Sequence, residues 1–525
     1  MLFSRLRFFC AQRRLSLNTL SLFSAALFSC LTFSPTSYVY AQNAYSPSQV
    51  LPTGTRHYLR VQDLADGTTL LRSGQDGHFF PPASTQKLFT ALAAKLELGD
   101  DFHFQTTLSQ TGRDWVLRFS GDPTLTSEDL TQLFTQAKQQ GIRHIHGDIW
   151  LDDRAFAGYS RAVGWPWDIL GVCYSAPASA ITLNHNCVQA SIRTLASGQT
   201  RLYVPEHQPI HVTSQVISVS KEQQKARHCT LELTSGDNNH YQLAGCLVES
   251  LVESARVIPL NFAVQQPELY TKRIIARILK RQGITLDGQI RIGTPSASDP
   301  QSMSKAHVIA QHDSAPLPEL LHVMLLKSDN LIADTLTKTL GARFFQQAGS
   351  FNNGTKAIKA IILQHTGIDL SQDQLVDGSG LSRSNRILPR DMLAVLRYIW
   401  QHDSKLKLIE LMPVAGESGT LHYRRSMRKA PIKGHLIAKS GTLYGSHNMA
   451  GFGLDAHGKP QTLFVQYVSD YFVSEQERSK PVDQPITRFE RQYYRDIVHL
   501  SQATATQTAR HNNKANAADN PIQRP

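Results

Sequence analysis

Beyond its first 33 positions the chain has no uncharged apolar run of the roughly 20 residues that a membrane-crossing helix needs. It has no Gly-rich phosphate loop and no strand–helix–strand alternation, which excludes the doubly wound nucleotide-binding architectures. No C-x-x-C pair occurs, so its six cysteines spell neither a zinc ribbon nor a thioredoxin-like redox site. Clustered Lys/Arg stripes with interleaved aromatics are also missing, which removes the usual footprint of a nucleic-acid binder. What remains is a globular composition, 41% hydrophobic and 18% charged, in 525 residues. That length exceeds one ordinary core and predicts two or three domains.

The N-terminus departs from this composition. Arg5, Arg7, Arg13 and Arg14 precede the apolar stretch "LSLFSAALFSCLTF", and no acidic residue occurs before Gln42. "VYAQ" (39–42) fits a small-x-Ala cleavage site, so residues 1–41 read as a secretory signal peptide. An uncleaved anchor, or a lipid attached at Cys30, are the alternatives. Losing four arginines with the leader takes the formal charge from +12 to about +8, a mild excess suited to anionic envelope surfaces. The expected location is the periplasm, with peripheral membrane association at most.

Cysteine usage agrees with export. Cys173, Cys187, Cys229 and Cys246 remain after the cleavage site, an even number for an oxidising compartment. Four cysteines allow three connectivities, of which local pairing, 173–187 and 229–246, is the simplest. His144 and His146 in "RHIHGD" form an H-x-H pair in a strand-like run and read as surface residues. No metal or other cofactor is expected.

Along the chain, "HYLRVQDLADGTTLLRS" (57–73) alternates about an Ala-Asp-Gly turn and predicts a hairpin. A Pro-Pro break follows, then a helix over 84–98, with Leu88, Ala91, Leu92 and Leu96 at helical spacing. Residues 100–265 carry short strand-like runs, turn residues and all four remaining cysteines, with one amphipathic helix at 127–141. Helices return over 270–283, 317–341 and 355–367. Three consecutive strands are expected at 435–443, 448–456 and 461–468, then a helix at 486–502. The tail 503–525 lacks apolar periodicity and predicts disorder. The fold class is α/β of the α+β type, with terminal strands sharing one antiparallel sheet flanked by helices. One domain is expected at 45–99 and 266–502, interrupted by the β-rich insertion at 100–265.

Three short patterns stand in order: Ser84-x-x-Lys87, "SDN" at Ser328 to Asn330 within the 317–341 helix, and "KSGT" at Lys439 to Thr442 on a strand. Ser-x-x-Lys alone means little, since Ser218/Lys221, Ser302/Lys305, Ser404/Lys407 and Ser426/Lys429 repeat it. Together the three supply an acyl-transfer site. A serine hydroxyl needs a base, and an amine three residues on shares its helix face. That amine must be neutral; burial among other cationic and polar groups would push it down, and Lys439 could supply the positive charge. Ser328 offers a proton relay toward the leaving amine. Asn330 can orient Lys87 and the substrate amide. Lys439, Ser440 and Thr442 can hold a carboxylate, and Gly441 would let substrate backbone lie close to the strand. Backbone N–H groups of Ser84 and Thr442 can stabilise an oxyanion.

S-x-x-K, S-D-N and K-T-G together mark penicillin-binding proteins and class A β-lactamases. "SGDPTL" (120–125), "GWPWDILG" (164–171), "YSAPASAITLNHN" (174–186), "DGSGLSRSNRILPRDM" (377–392) and "AGESGTL" (415–421) narrow the match. From about 45 to 500 the chain resembles the low-molecular-mass class C penicillin-binding proteins, the S13 D-alanyl-D-alanine carboxypeptidases and endopeptidases. The resemblance implies a penicillin-binding transpeptidase-like domain with two extra domains in the insertion, one nested in the other. It implies Ser84 as acylated nucleophile, Lys87 as base, and Ser328, Asn330 and Lys439 completing the site. Peptidoglycan stem peptides and β-lactams are the implied partners. Arg383, Tyr444 and Asn184 resemble the pocket for the free end of the stem peptide. Ser440 stands where the family usually has Thr, and Asn184 where an acid is common. A β-lactamase would need a deacylating water, and no class A Glu loop is evident. A non-catalytic peptidoglycan-binding scaffold would leave muropeptides unchanged.

Overall fold

The alternation over 57–73 folds as expected. In the computed structural model, which describes residues 45–195, 197–248, 257–295 and 306–518, strand β1 (Arg56–Asp63) and strand β2 (Thr69–Ser73) form an antiparallel hairpin. The three strands near the other end, β3 (Leu436–Leu443), β4 (Ser446–Leu454) and β5 (Pro460–Ser469), join the same sheet in the order β3-β4-β5-β1-β2. Arg60 lies opposite Val465, so the two ends of the fold meet at the β1–β5 seam.

Because side chains alternate across a strand, β5 serves two cores. Leu463, Val465 and Tyr467 face a helical layer made of α1 (Lys87–Glu97), α2 (Leu317–Leu326), α3 (Asn330–Phe345), α4 (Phe351–Thr366) and α5 (Pro389–Gln401). Phe464 and Val468 face Phe489, Tyr493 and Ile497 of the last helix, α6 (Pro485–Ala518). Helices thus cover both faces of an antiparallel sheet, the α+β arrangement expected from the sequence.

Two boundaries differ from expectation. The helix read across 317–341 is two helices. Ser328 takes φ +61°, a left-handed value that ends α2, and Asp329 then caps α3 by accepting from the Ile332 N–H at 2.9 Å. The last helix, expected to stop near 502 before a disordered tail, continues to Ala518. Ala and Gln beyond 502 have good helix propensity and extend a helix already nucleated by its buried turns. The expected signal peptide, 1–41, lies outside the described residues, as do 42–44 and 519–525.

The inserted region also runs further than its β-rich texture showed. A five-stranded sheet has the order 290–292, 149–152, 114–118, 105–111, 307–313. The helix Pro267–Gln282, assigned from sequence to the peptidase portion, packs Ile275 and Ile278 into this sheet's core. Pairing therefore extends to Asp313 rather than stopping at 265. Strand 187–194 lies between strands 258–263 and 200–203, and strand 240–248 pairs with 211–214, 217–219 and 231–235. Cys173–Cys187 and Cys229–Cys246 are bonded, with Cα atoms 5.3 and 5.9 Å apart, so the local pairing holds. No helix among the described residues is long and apolar enough to cross a membrane.

Candidate active site

Three elements converge on one place. Ser84 lies in a single 3-10 turn, Ala83–Gln86, that leads into α1. Ala83 takes φ +49°, and a Cβ built on Gly380 would sit 1.9 Å from the Ala83 carbonyl oxygen. A glycine is therefore required where the 377–382 loop crosses this turn. Lys87, one turn on, brings its Nζ to 3.1 Å from Ser84 Oγ. Asn330 at the start of α3 and Lys439 on β3 complete the convergence, with Ser328 Oγ 2.9 Å from Lys439 Nζ. Both lysines are fully buried, while Ser84, Ser328 and Asn330 are partly exposed. The hydroxyls thus face the opening and the amines lie beneath them.

The neighbours of Lys87 determine how its proton is held. Its Nζ is 2.6 Å from Asn330 Oδ1 and 2.6 Å from the Ser379 carbonyl oxygen. Both can only accept. Asn330 Nδ2 donates to the Tyr174 carbonyl at 2.7 Å, which fixes the amide with its oxygen toward the lysine. A neutral amine would spend its two N–H bonds on these oxygens, and its lone pair would point at Ser84 Oγ.

Burial pulls the Lys87 amine down to about 8, against the opposing carboxylates of Asp334, Asp377 and Asp329. Burial and the neighbouring Lys87 place Lys439 well below the ordinary lysine range. Burial is the main cause for both lysines, and the repulsion between the two ammonium groups is the lesser one. Burial and Asp377 push Asp334 up to about 8. Its Oδ1 accepts from the Gly378 and Ser379 N–H groups, both at 2.9 Å. Asp377 accepts from Trp165 Nε1 at 2.9 Å and from the Ser382 N–H at 2.6 Å.

The sequence-derived substrate residues divide. Ser440 Oγ is 2.9 Å from Thr420 Oγ1, and Thr442 is exposed beside it. The Arg383 guanidinium carbon lies 5.7 Å from the Tyr444 ring centroid. Both line a hollow of about 160 Å³ with Arg56, Arg386 and Phe472, next to Pro81 and Leu443. Gly441 does not face the opening. A Cβ there would lie 2.8 Å from the Pro82 oxygen and 3.0 Å from the Ser84 and Thr85 nitrogens, so the missing side chain lets β3 meet the Ser84 turn. Asn184 is held within the inserted region: its Oδ1 accepts from the Ser127 N–H at 2.9 Å and its Nδ2 donates to Tyr270 Oη at 3.0 Å.

Residues 52–493 match the D-Ala-D-Ala carboxypeptidase 3 (S13) family. The chain belongs to that family. D-alanyl-D-alanine carboxypeptidase DacB of Haemophilus influenzae is 36% identical over 465 residues, covering 87% of this chain and 94% of that one. A D-alanyl-D-alanine carboxypeptidase of Actinomadura sp. (strain R39) is 29% identical over 411 residues, covering 75% and 74%. The crystal structure of penicillin binding protein 4 from H. influenzae superposes with a TM-score of 0.77 at 36% identity, covering 87% of this chain and 99% of that one. The same protein complexed with a β-lactam gives 0.74 at 34% identity, with the same coverage.

Within this S13 chain, several neighbours of the three motifs escaped the sequence reading. Asp334 lies four residues after Asn330, one turn along α3, which was the signal available. Ser379 sits in the quoted "DGSGLSR" run, but its contribution is a carbonyl, which sequence does not mark. His185 adjoins Asn184, and its Nε2 lies 2.9 Å from Asp329 Oδ2. Thr420 lies in the "ESGTL" echo of the third motif.

Proposed function

We propose that this S13 peptidase is an exported serine DD-peptidase of the periplasm. It cleaves the D-Ala–D-Ala bond, or D-Ala–diaminopimelate cross-links, of peptidoglycan stem peptides through an acyl-enzyme on Ser84. Penicillin intercepts it at the same atom. The observation that carries this reading is the Lys87 amine, buried and flanked by two obligate acceptors with Ser84 Oγ as its third neighbour.

Neutral Lys87 takes the Ser84 proton as Oγ attacks the carbonyl carbon of the penultimate D-Ala. The oxyanion is held by the N–H groups of Ser84 and Thr442. As the C–N bond breaks, the proton that Lys87 took passes to the leaving amine through Ser328 Oγ, which stands between Lys439 and the opening, and Lys87 is neutral again. Water then adds to the ester as Lys87 takes its proton, and Lys87 returns that proton to Ser84 Oγ as the C–O bond breaks. Lys439, Ser440 and Thr442 bind the terminal carboxylate. Its negative charge favours the charged form of Lys439, so substrate binding and protonation of that lysine are coupled. Arg383 and Tyr444 bind the free end of the stem peptide. The two disulfides support an oxidising compartment.

The test is mass spectrometry of the full chain with and without penicillin. One adduct on the peptide containing Ser84, absent in Ser84→Ala, is expected, together with release of D-Ala from stem pentapeptides. Equal labelling of both proteins would remove Ser84 from the role, and rapid penicillin turnover would indicate a β-lactamase.

A further inference from the structure

Far along the chain from the active-site motifs, the inserted region brings a third residue to the H-x-H pair. Ile145 between His144 and His146 is buried, so strand alternation turns both imidazoles outward on one face. Their ring centroids are 4.3 Å apart. A parallel pairing sets Thr285 beside His144 and Leu286 beside Ile145, and the Asp287 N–H donates to the Ile145 carbonyl at 3.0 Å. This backbone ladder delivers the Asp287 carboxylate to the two rings. His144 Nε2 lies 2.8 Å and His146 Nδ1 3.4 Å from the same Asp287 Oδ2. Three ligand atoms from two segments lie within 4.8 Å of one another, the sole such group among the described residues.

We propose that His144, His146 and Asp287 form a binding site for a divalent transition metal of the Zn²⁺ class. Ligands at about 2.0–2.1 Å from a tetrahedral ion are about 3.4 Å apart. The His146–Asp287 distance already meets that value. The His144–Asp287 distance meets it after an opening of about half an ångström, which exposed side chains can make. The nitrogen of His144 remote from Asp287, Nδ1, lies 2.8 Å from Thr285 Oγ1, the kind of outer partner that orients a ligating imidazole. Two imidazoles and one carboxylate suit zinc, nickel or copper rather than magnesium or calcium. The fourth position faces solvent and takes water. Arg113 and Arg143, which line the adjoining hollow, oppose cation binding, so affinity in the micromolar range is expected. A bound ion would clip 144–146 to 285–287, two segments on opposite sides of the nested strands.

The site is independent of the acyl-transfer reading and is tested separately from it. Metal-free full-length protein is titrated calorimetrically with Zn²⁺ at about pH 7.5, where imidazole ligands are available, with Mg²⁺ as the comparison ion. One Zn²⁺ equivalent and no Mg²⁺ equivalent are expected. His146→Asn and Asp287→Asn should weaken the Zn²⁺ equivalent by about tenfold or more, while fluorescent-penicillin acylation at the wild-type rate reports that each variant is folded. Absence of a stoichiometric Zn²⁺ site in the wild type, or unchanged binding in the folded variants, would overturn the assignment in favour of a simple His–Asp ion pair.

Discussion

Replacing a buried acid in this site should speed acylation in the pH range where its lysine titrates. Acylation of Ser84 needs neutral Lys87, so its rate rises about tenfold per pH unit up to the amine's value of about 8 and then levels. Asp334 is among the carboxylates that hold the proton on that amine. Its Oδ1 binds the Ser379 N–H at 2.9 Å, and the Ser379 carbonyl binds Lys87 Nζ at 2.6 Å. The backbone of one residue, Ser379, thus separates the charges, roughly 6 Å. At an effective dielectric of about 20 a full charge there is worth about 2.8 kcal/mol, or about two pKa units. Asp334 is itself pushed up to about 8, so it is largely protonated below pH ~7 and Asp334→Asn acts only where the acid is ionised. At pH ~8.5 the variant should acylate about twofold faster than wild type, and the two should converge below pH ~7. The substituted amide keeps an oxygen for the Gly378 and Ser379 N–H groups. Its nitrogen replaces an Oδ2 that has no partner, a stability cost of about 1–3 kcal/mol. Initial rates of fluorescent-penicillin acylation between pH ~5.5 and ~9.5, with a thermal melt of each protein, make the measurement. Equal rates at pH ~8.5, or a slower variant, with Ser84 still the labelled residue, would refute the electrostatic reasoning.

Three further perturbations have defined outcomes. Burial works against both charges of the His185–Asp329 pair, yet each partner stabilises the other, raising His185 and lowering Asp329. The pair's contribution is therefore present above the carboxylate range and lost as pH rises through the raised imidazole value. In urea melts His185→Gln should cost about 0.5–1 kcal/mol near pH 6, given solvent screening, and little near pH 9. Gly441→Ala would place a methyl 2.8 Å from the Pro82 oxygen. It should lower stability by about 1–3 kcal/mol and slow acylation by about tenfold or more. Paired Cys229→Ser and Cys246→Ser, which open a bridge spanning 17 residues, should cost about 3 kcal/mol in melts and leave the acylation rate unchanged.

The sequence was most legible where one periodicity dominated. β1 and β2 alternate about a clear turn, and Leu88 to Leu96 follow helical spacing, so both matched. The three motifs could be placed in order because each carries its own polar pattern. Ser328 was misplaced because the apolar spacing of 317–341 continues through a break set by one left-handed residue, which leaves no trace in hydrophobicity. The insertion's end was misread because Pro267–Gln282 is an ordinary amphipathic helix whose partner sheet lies far back in the sequence. Gly441 and Asn184 were assigned to substrate by type and resemblance, while their actual neighbours depend on tertiary packing. Asp334 and the Ser379 carbonyl act through backbone geometry, to which a sequence pattern is blind.

The seam between β1 and β5 has a consequence for the timing of activity. Arg60 and Val465 are paired neighbours about 400 residues apart, so joining them closes a very large loop. Lys439 and β3 belong to the later half of that seam. A partly synthesised chain would already carry its reactive alcohol, yet the lysine-bearing strand would still be unmade. Hydrolytic competence therefore arrives only when nearly the whole polypeptide exists, which keeps the cutting edge blunt until the last strands are in place.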